Sequence, residues 1–102
     1  MADREHVMQH TRPAEHWGQL TDENKRAFIS IAHIIRSQVD VSLRVYCYGS
    51  RVGGYWREDS DYDIVIGSCK SYHKDKIYKL KFPFKVDLKL SVSKNINYIE
   101  IP

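Results

Sequence analysis

With 102 residues, the chain has room for one domain or one small subunit built on a thin core. Its 42% hydrophobic and 28% charged residues are ordinary for a soluble globular protein, and its aromatic and β-branched content excludes disorder of the whole chain. A net charge of +3 fits an anionic substrate but is too small to imply nucleic acid by itself.

Residues 1–20 are expected to form an N-terminal arm, polar as far as Pro13, with a short helical turn over 14–20 that packs Trp17 and Leu20 on the body. His6, His10 and His16 lie in this arm without the short fixed spacing of a zinc site and are read as incidental. The opening MADREHVMQH has no signal-peptide core, and no apolar run approaches the length of a membrane span. Cys47 and Cys69 lack metal-ligand spacing and are read as reduced thiols. The expectation is a cytoplasmic protein with no membrane association.

The domain proper is expected over 21–102. Thr21 is a good N-cap, Asp22 and Glu23 favour the positive end of a helix, and Phe28, Ile31, Ala32 and Ile35 recur at helical spacing, so a helix is predicted to about Ser37 or Gln38. VSLRVYCY, from Val41 to Tyr48, is β-branched and aromatic and stops at Gly49, which predicts a strand. Arg51 to Trp56 is expected to begin a short helix, weakened by Gly53 and Gly54. DYDIVI, from Asp61 to Ile66, predicts a second strand. Ser71 to Leu80 reads as a short helix or irregular crossover. Phe84 to Val92 alternates strictly, with Lys85, Asp87, Lys89 and Ser91 on the polar face, and predicts a third strand. The tail from Asn95 adds a short strand through Tyr98 and Ile99 or a turn of helix. This order implies a small α/β or α+β sheet with one face covered by helix.

The most informative stretch is GSRVGGYWREDSDYD, Gly49 to Asp63. Gly49 lets the backbone bend and lets an anion approach closely. A helix starting beyond Ser50 would turn N–H groups toward phosphate oxygens, with the Ser50 hydroxyl as a further donor and Arg51 as a further phosphate candidate. Asp61 and Asp63, two apart on a strand, point to one face roughly 6.6 Å apart along the chain. Two like charges that close call for a cation between them, and hard oxygen ligands select magnesium or manganese. Asp87 joins the cluster if the third strand pairs beside the second. Three carboxylates with a triphosphate can hold two cations roughly 3.5–4 Å apart, one activating an attacking hydroxyl and one neutralising the triphosphate and leaving pyrophosphate. Asp87 is then the natural general base or the ligand of the first cation.

The pattern Gly49-Ser50, ten residues, Asp61-x-Asp63 and a later Asp87 resembles the nucleotidyltransferase superfamily that includes DNA polymerase β and kanamycin nucleotidyltransferase, in particular its minimal members. The resemblance covers about residues 21 to 92. It implies a nucleotidyltransferase fold, a small mixed β-sheet of three to four strands flanked by helices. It also implies transfer of a nucleoside monophosphate, AMP from ATP, to an acceptor hydroxyl, with Mg2+ (or Mn2+) held by Asp61, Asp63 and Asp87. By the same resemblance Ser50 touches the triphosphate and Asp87 activates the acceptor. Small stand-alone members act as antitoxins that add AMP to a HEPN-domain toxin, so such a protein partner is expected, and a homo-oligomer or partner would complete the site. The short segment after the third strand motivates an alternative, a catalytically weak nucleotide- or partner-binding module of the same fold. A further alternative is nucleic-acid binding through the seven lysines between Lys70 and Lys89, with Tyr72, Tyr78, Phe82 and Phe84 stacking on bases. The simpler reading makes the lysines a solvated surface and these aromatics core.

Overall fold

The computed structural model describes residues 9–10 and 12–102, with side chains from residue 12 onward. The expectations for residues 1–8 and 11, His6 among them, lie outside the described residues. The elements in chain order are β1 (Gln9–His10), a 3-10 turn (Trp17–Gln19), α1 (Asp22–Gln38), β2 (Val45–Tyr48), α2 (Ser50–Gly53), β3 (Tyr55–Trp56), β4 (Tyr62–Ile66), a second 3-10 turn (Ser71–His73), α3 (Lys74–Tyr78), β5 (Val86–Lys89) and β6 (Ile99–Glu100).

α1 starts where a cap permits it. The Thr21 side chain accepts a hydrogen bond from the Asn24 N–H at 3.2 Å, satisfying one of the donors a helix start leaves open. Its apolar stripe of Ala27, Phe28, Ile31, Ala32 and Ile35 is buried, and each large side chain so buried contributes about 1.5–3 kcal/mol. The helix lies on one face of a four-stranded mixed sheet of order β5-β4-β2-β6. β2 runs antiparallel to β4 and to β6, while β4 and β5 are parallel. Parallel neighbours need a crossover, and residues 67–85 supply it with the second 3-10 turn and α3.

Val45, Cys47, Ile64, Ile66 and Ile99 fill the helix-covered face with the α1 stripe. Ala14 and Leu20 join the same core, and the Ala14 N–H donates to the Val52 carbonyl at 2.8 Å, so the segment from Pro13 to Leu20 is docked on the body. β1 pairs with β3 in a separate two-stranded ladder.

Three predicted strands and helices differ in extent. β2 begins at Val45 because Asp40 claims the residues before it. Its side chain accepts from the Ser42 N–H and hydroxyl at 2.9 and 2.7 Å, and its carbonyl accepts from the Leu43 N–H. Val41, predicted to lie in the strand, is 81% exposed. β5 covers only Val86–Lys89 of the predicted Phe84–Val92, the stretch that faces residues 62–65 of β4. The helix expected from Arg51 to Trp56 is one turn, closed by Gly54 in the left-handed region, after which Tyr55 and Trp56 turn into β3. No helix among the described residues is long and apolar enough to cross a membrane.

Candidate active site

Strand register assembles the site. Tyr48 on β2 faces Asp63 on β4, and Asp63 faces Asp87 on β5. Directly paired residues share a sheet face. The three therefore form one row across the face opposite α1, and Asp61 joins it by alternation. A carboxylate oxygen from each of Asp61, Asp63 and Asp87 lies within 4.8 Å of the others, and all three side chains are half-buried.

Crowding of these charges shows in Asp63. Burial first, then the charges of Asp87 and Asp61, push its pKa up to about 6, and Lys89 only partly offsets them. The Lys85 ammonium lies 3.6 Å from Asp61 but is largely exposed, so it screens the cluster weakly. Three hard oxygen donors with an excess of negative charge fit a divalent cation of the magnesium or manganese class.

Gly49 and Ser50 stand at the edge of this cluster. Gly49 has φ +85° and ψ −157°, a backbone region open essentially only to glycine, and it starts the single turn of α2. A Cβ at Gly49 would fall on the Asp63 carboxylate, 2.7 Å from its Cγ and closer still to Oδ2. The absence of a side chain thus gives the carboxylate its place and leaves the Ser50 backbone open to an anion beside it.

Arg51 does not join Gly49 and Ser50. It is 2% exposed and points inward, with its guanidinium 4.0 Å over the centroid of the Tyr62 ring. Its Nη1 donates to Asn24 Oδ1 at 2.9 Å, its Nε to the Ser60 carbonyl, and its Nη2 to the carbonyls of Arg57, Glu58 and Ser60. Each of the three guanidinium nitrogens donates to the loop leading into Asp61 or to α1. Arg51 is the brace that sets the approach to the carboxylates rather than a phosphate ligand.

Sequence reasoning left out Tyr48. Its ring packs edge-on to Tyr98 with centroids 5.2 Å apart, and its hydroxyl is buried without a hydrogen-bond partner among the described residues. Burial, then Asp63 and Asp87, push its pKa up to about 12. Its place immediately before Gly49 on a strand was the available signal. The lysines from Lys70 to Lys89 are all exposed, as expected of a solvated face. The aromatics among them divide: Phe82 and Phe84 pack on the core, whereas Tyr72 and Tyr78 are 72% and 73% exposed and do not belong to it.

Neither a curated protein nor a solved structure matches the chain. The family model for the nucleotidyltransferase domain matches residues 29–101, well over half of its length and every residue of the acidic cluster and its glycine turn. The chain belongs to the nucleotidyltransferase domain family.

Proposed function

We propose that the protein transfers AMP from ATP to a hydroxyl group of a partner protein, with Mg2+ or Mn2+ held by Asp61, Asp63 and Asp87. The observation that carries this reading is the convergence of those three carboxylates beside the Gly49 bend. Bound cations would neutralise the triphosphate and leaving pyrophosphate and ease deprotonation of the acceptor hydroxyl. Ser50 would donate its hydroxyl and its N–H to phosphate oxygens. Asp87 sits on the edge strand, one strand further from Gly49 than Asp63, and there would take the proton of the incoming hydroxyl. The acceptor oxygen then bonds to the α-phosphorus as the bond to pyrophosphate breaks. Positioning and fixed charge supply most of the rate. A HEPN-type toxin as the acceptor rests on the resemblance to minimal family members, and a cytoplasmic setting rests on the reading of the two cysteines as reduced thiols.

The test is incubation with α-labelled ATP, Mg2+ and a HEPN-domain protein as the candidate acceptor. The expected outcome is label on the partner and release of pyrophosphate. Asp87→Ala should lower the rate by about 10²–10⁴-fold, the range for loss of a positioned general base, while the protein stays folded. Label transfer unchanged by Asp87→Ala would overturn the assignment. Magnesium-dependent ATP binding without transfer would favour the binding-module alternative.

A further inference from the structure

The sheet is open at β5. This strand pairs with β4 alone among the described residues, and it carries Asp87. Backbone groups alternate across a strand, and the Lys85 carbonyl accepts from the Tyr62 N–H of β4 at 2.8 Å. The N–H and C=O of Val86 and Leu88 therefore point to the free side, and no backbone bond outside the ladder uses them among the described residues. A row of unpaired backbone groups is a template for another strand.

The two faces of this edge differ. On the α1 side, Val86, Leu88 and Leu90 are half-buried and line a groove of about 800 Å³ between the strand and α3. Ile77, Leu80 and Phe82 complete its wall, and Tyr78, 73% exposed, stands at the rim. On the other side lie Lys85, Asp87 and Lys89, with both lysines exposed.

Charge selects what such an edge admits. Residues 70–89 hold seven lysines against two acidic residues, Asp75 and Asp87. Lysines along an edge repel a second copy of that edge. They attract an acidic strand, because opposite charges directly across a sheet stabilise the pairing and like charges do the reverse.

We propose that the β5 edge takes up an extended acidic segment of the acceptor protein as an added strand, and that this docking sets the acceptor hydroxyl opposite Asp87. The proposal rests on the reading of Asp87 as the group that receives the acceptor's proton. Register defines the segment. Laid antiparallel, its residues opposite Val86 and Leu88 exchange backbone hydrogen bonds with them and send their side chains into the groove. The residue between those two meets Asp87 in a non-hydrogen-bonded pair, the kind with the closer side chains, about 4.5 Å between Cα atoms. The residues two positions to either side of it face Lys85 and Lys89. The segment is thus a hydroxyl-bearing residue flanked on each side by an apolar residue and then by an aspartate or glutamate.

The experiment titrates the full chain, at low salt and without nucleotide, with a blocked peptide of core Glu-Val-Ser-Val-Glu and with its tyrosine-for-serine counterpart, and follows amide hydrogen exchange. The peptides should bind and should slow exchange of the Val86 and Leu88 N–H groups more than any other in the sheet. N-methylation of both valines, which removes the donors that face β5, should weaken binding about tenfold or more, and so should exchange of both glutamates for lysine. Lys85→Glu combined with Lys89→Glu should invert the preference toward the lysine peptide, with thermal unfolding showing that the variant is folded. If that variant does not fold, the N-methylated peptide and the exchange pattern of the wild type decide. No binding, binding indifferent to N-methylation, or protection away from β5 would overturn the proposal. An oligouridine RNA that binds more tightly and displaces the peptide would overturn it by giving the lysines to nucleic acid. Protection of Val86 and Leu88 that grows with protein concentration in the absence of peptide would overturn it by giving the edge to a second copy. With Mg2+ and α-labelled ATP added, a docked peptide should take label on its central hydroxyl. Peptides that dock as described and stay unlabelled would uphold the edge and count against the transfer reading instead.

Discussion

Replacing Gly49 with alanine tests how the carboxylate cluster is held in place. Two costs follow from the structure. The first is conformational: φ +85° with ψ −157° is a region that residues with a Cβ avoid, at a cost of about 1–3 kcal/mol. The second is steric, since the new methyl would lie 3.0 Å from Asp63 Cβ and 2.7 Å from its Cγ. Overpacking of this kind costs about 1–3 kcal/mol more. The sum, about 2–6 kcal/mol, is large for a domain of this size, and even 2 kcal/mol corresponds to a melting temperature lower by about 8–16 °C. Denaturant unfolding of the metal-free protein measures the total, and repeating it in an Asp63→Ala background separates the parts. There the Cγ and Oδ2 contacts are gone and only the 3.0 Å approach to Cβ remains, so Gly49→Ala should cost little beyond the backbone share of about 1–3 kcal/mol. Weakened Mn2+ binding should accompany Gly49→Ala in the otherwise native chain, because the displaced carboxylate no longer meets its neighbours. An unfolding midpoint equal to that of the wild type, or the same cost in both backgrounds, would refute the proposed contact between bend and carboxylate.

Other outcomes follow from the same geometry. Asp63 has its folded pKa raised above the ordinary 3.8, so its contribution to stability is fully present below that value and is lost as pH rises through about 6. Metal-free protein should therefore unfold at higher denaturant at pH 5 than at pH 7.5 through this group, Mg2+ should reverse the trend, and Asp63→Asn should abolish the Asp63 component. Arg51→Ala should destabilise the protein by about 1–3 kcal/mol, as expected when buried acceptors, here Asn24 Oδ1 and the loop carbonyls, lose their donor. Arg51→Lys should fail to restore it in urea unfolding, because an ammonium cannot reach Asn24 and three loop carbonyls at once. Cys47 is buried, with its thiol pushed up to about 12, and Cys69 is partly exposed. An alkylating reagent at pH 8 should modify Cys69 alone in the native protein and both thiols in denaturant, as read by mass spectrometry.

Much of this arrangement was legible in the residues because each signal was local. Thr21 and the stripe of Phe28, Ile31, Ala32 and Ile35 specify α1 without reference to anything distant, although Ile29, which by spacing would widen that stripe, is 46% exposed. Alternation places Asp61 and Asp63 on one face, and the register of β4 with β5 brings Asp87 to them. What could not be read depended on partners far along the chain. Arg51 looks like a phosphate ligand beside Ser50, yet its partners are mostly backbone carbonyls, which have no sequence signature. The β1–β3 ladder pairs two segments of two residues each, too short for any periodicity to show. A cavity of about 410 Å³ at the end of β2 forms only where residues 13–14 and 95–97 converge on it. Of the predicted third strand, the ladder with β4 takes up only Val86–Lys89, with the Lys85 carbonyl accepting from the Tyr62 N–H just before it.

The inward guanidinium of Arg51 has a consequence for how this chain can change. Its donors match carbonyls at positions 57, 58 and 60, and the first carboxylate follows at 61. One inserted or deleted residue in that interval would slide the carbonyls out of step and strand a positive charge in the interior. The ten-residue gap between serine and aspartate is thus a length gauge cut by one buried side chain, which substitutions leave in step and a change of count does not.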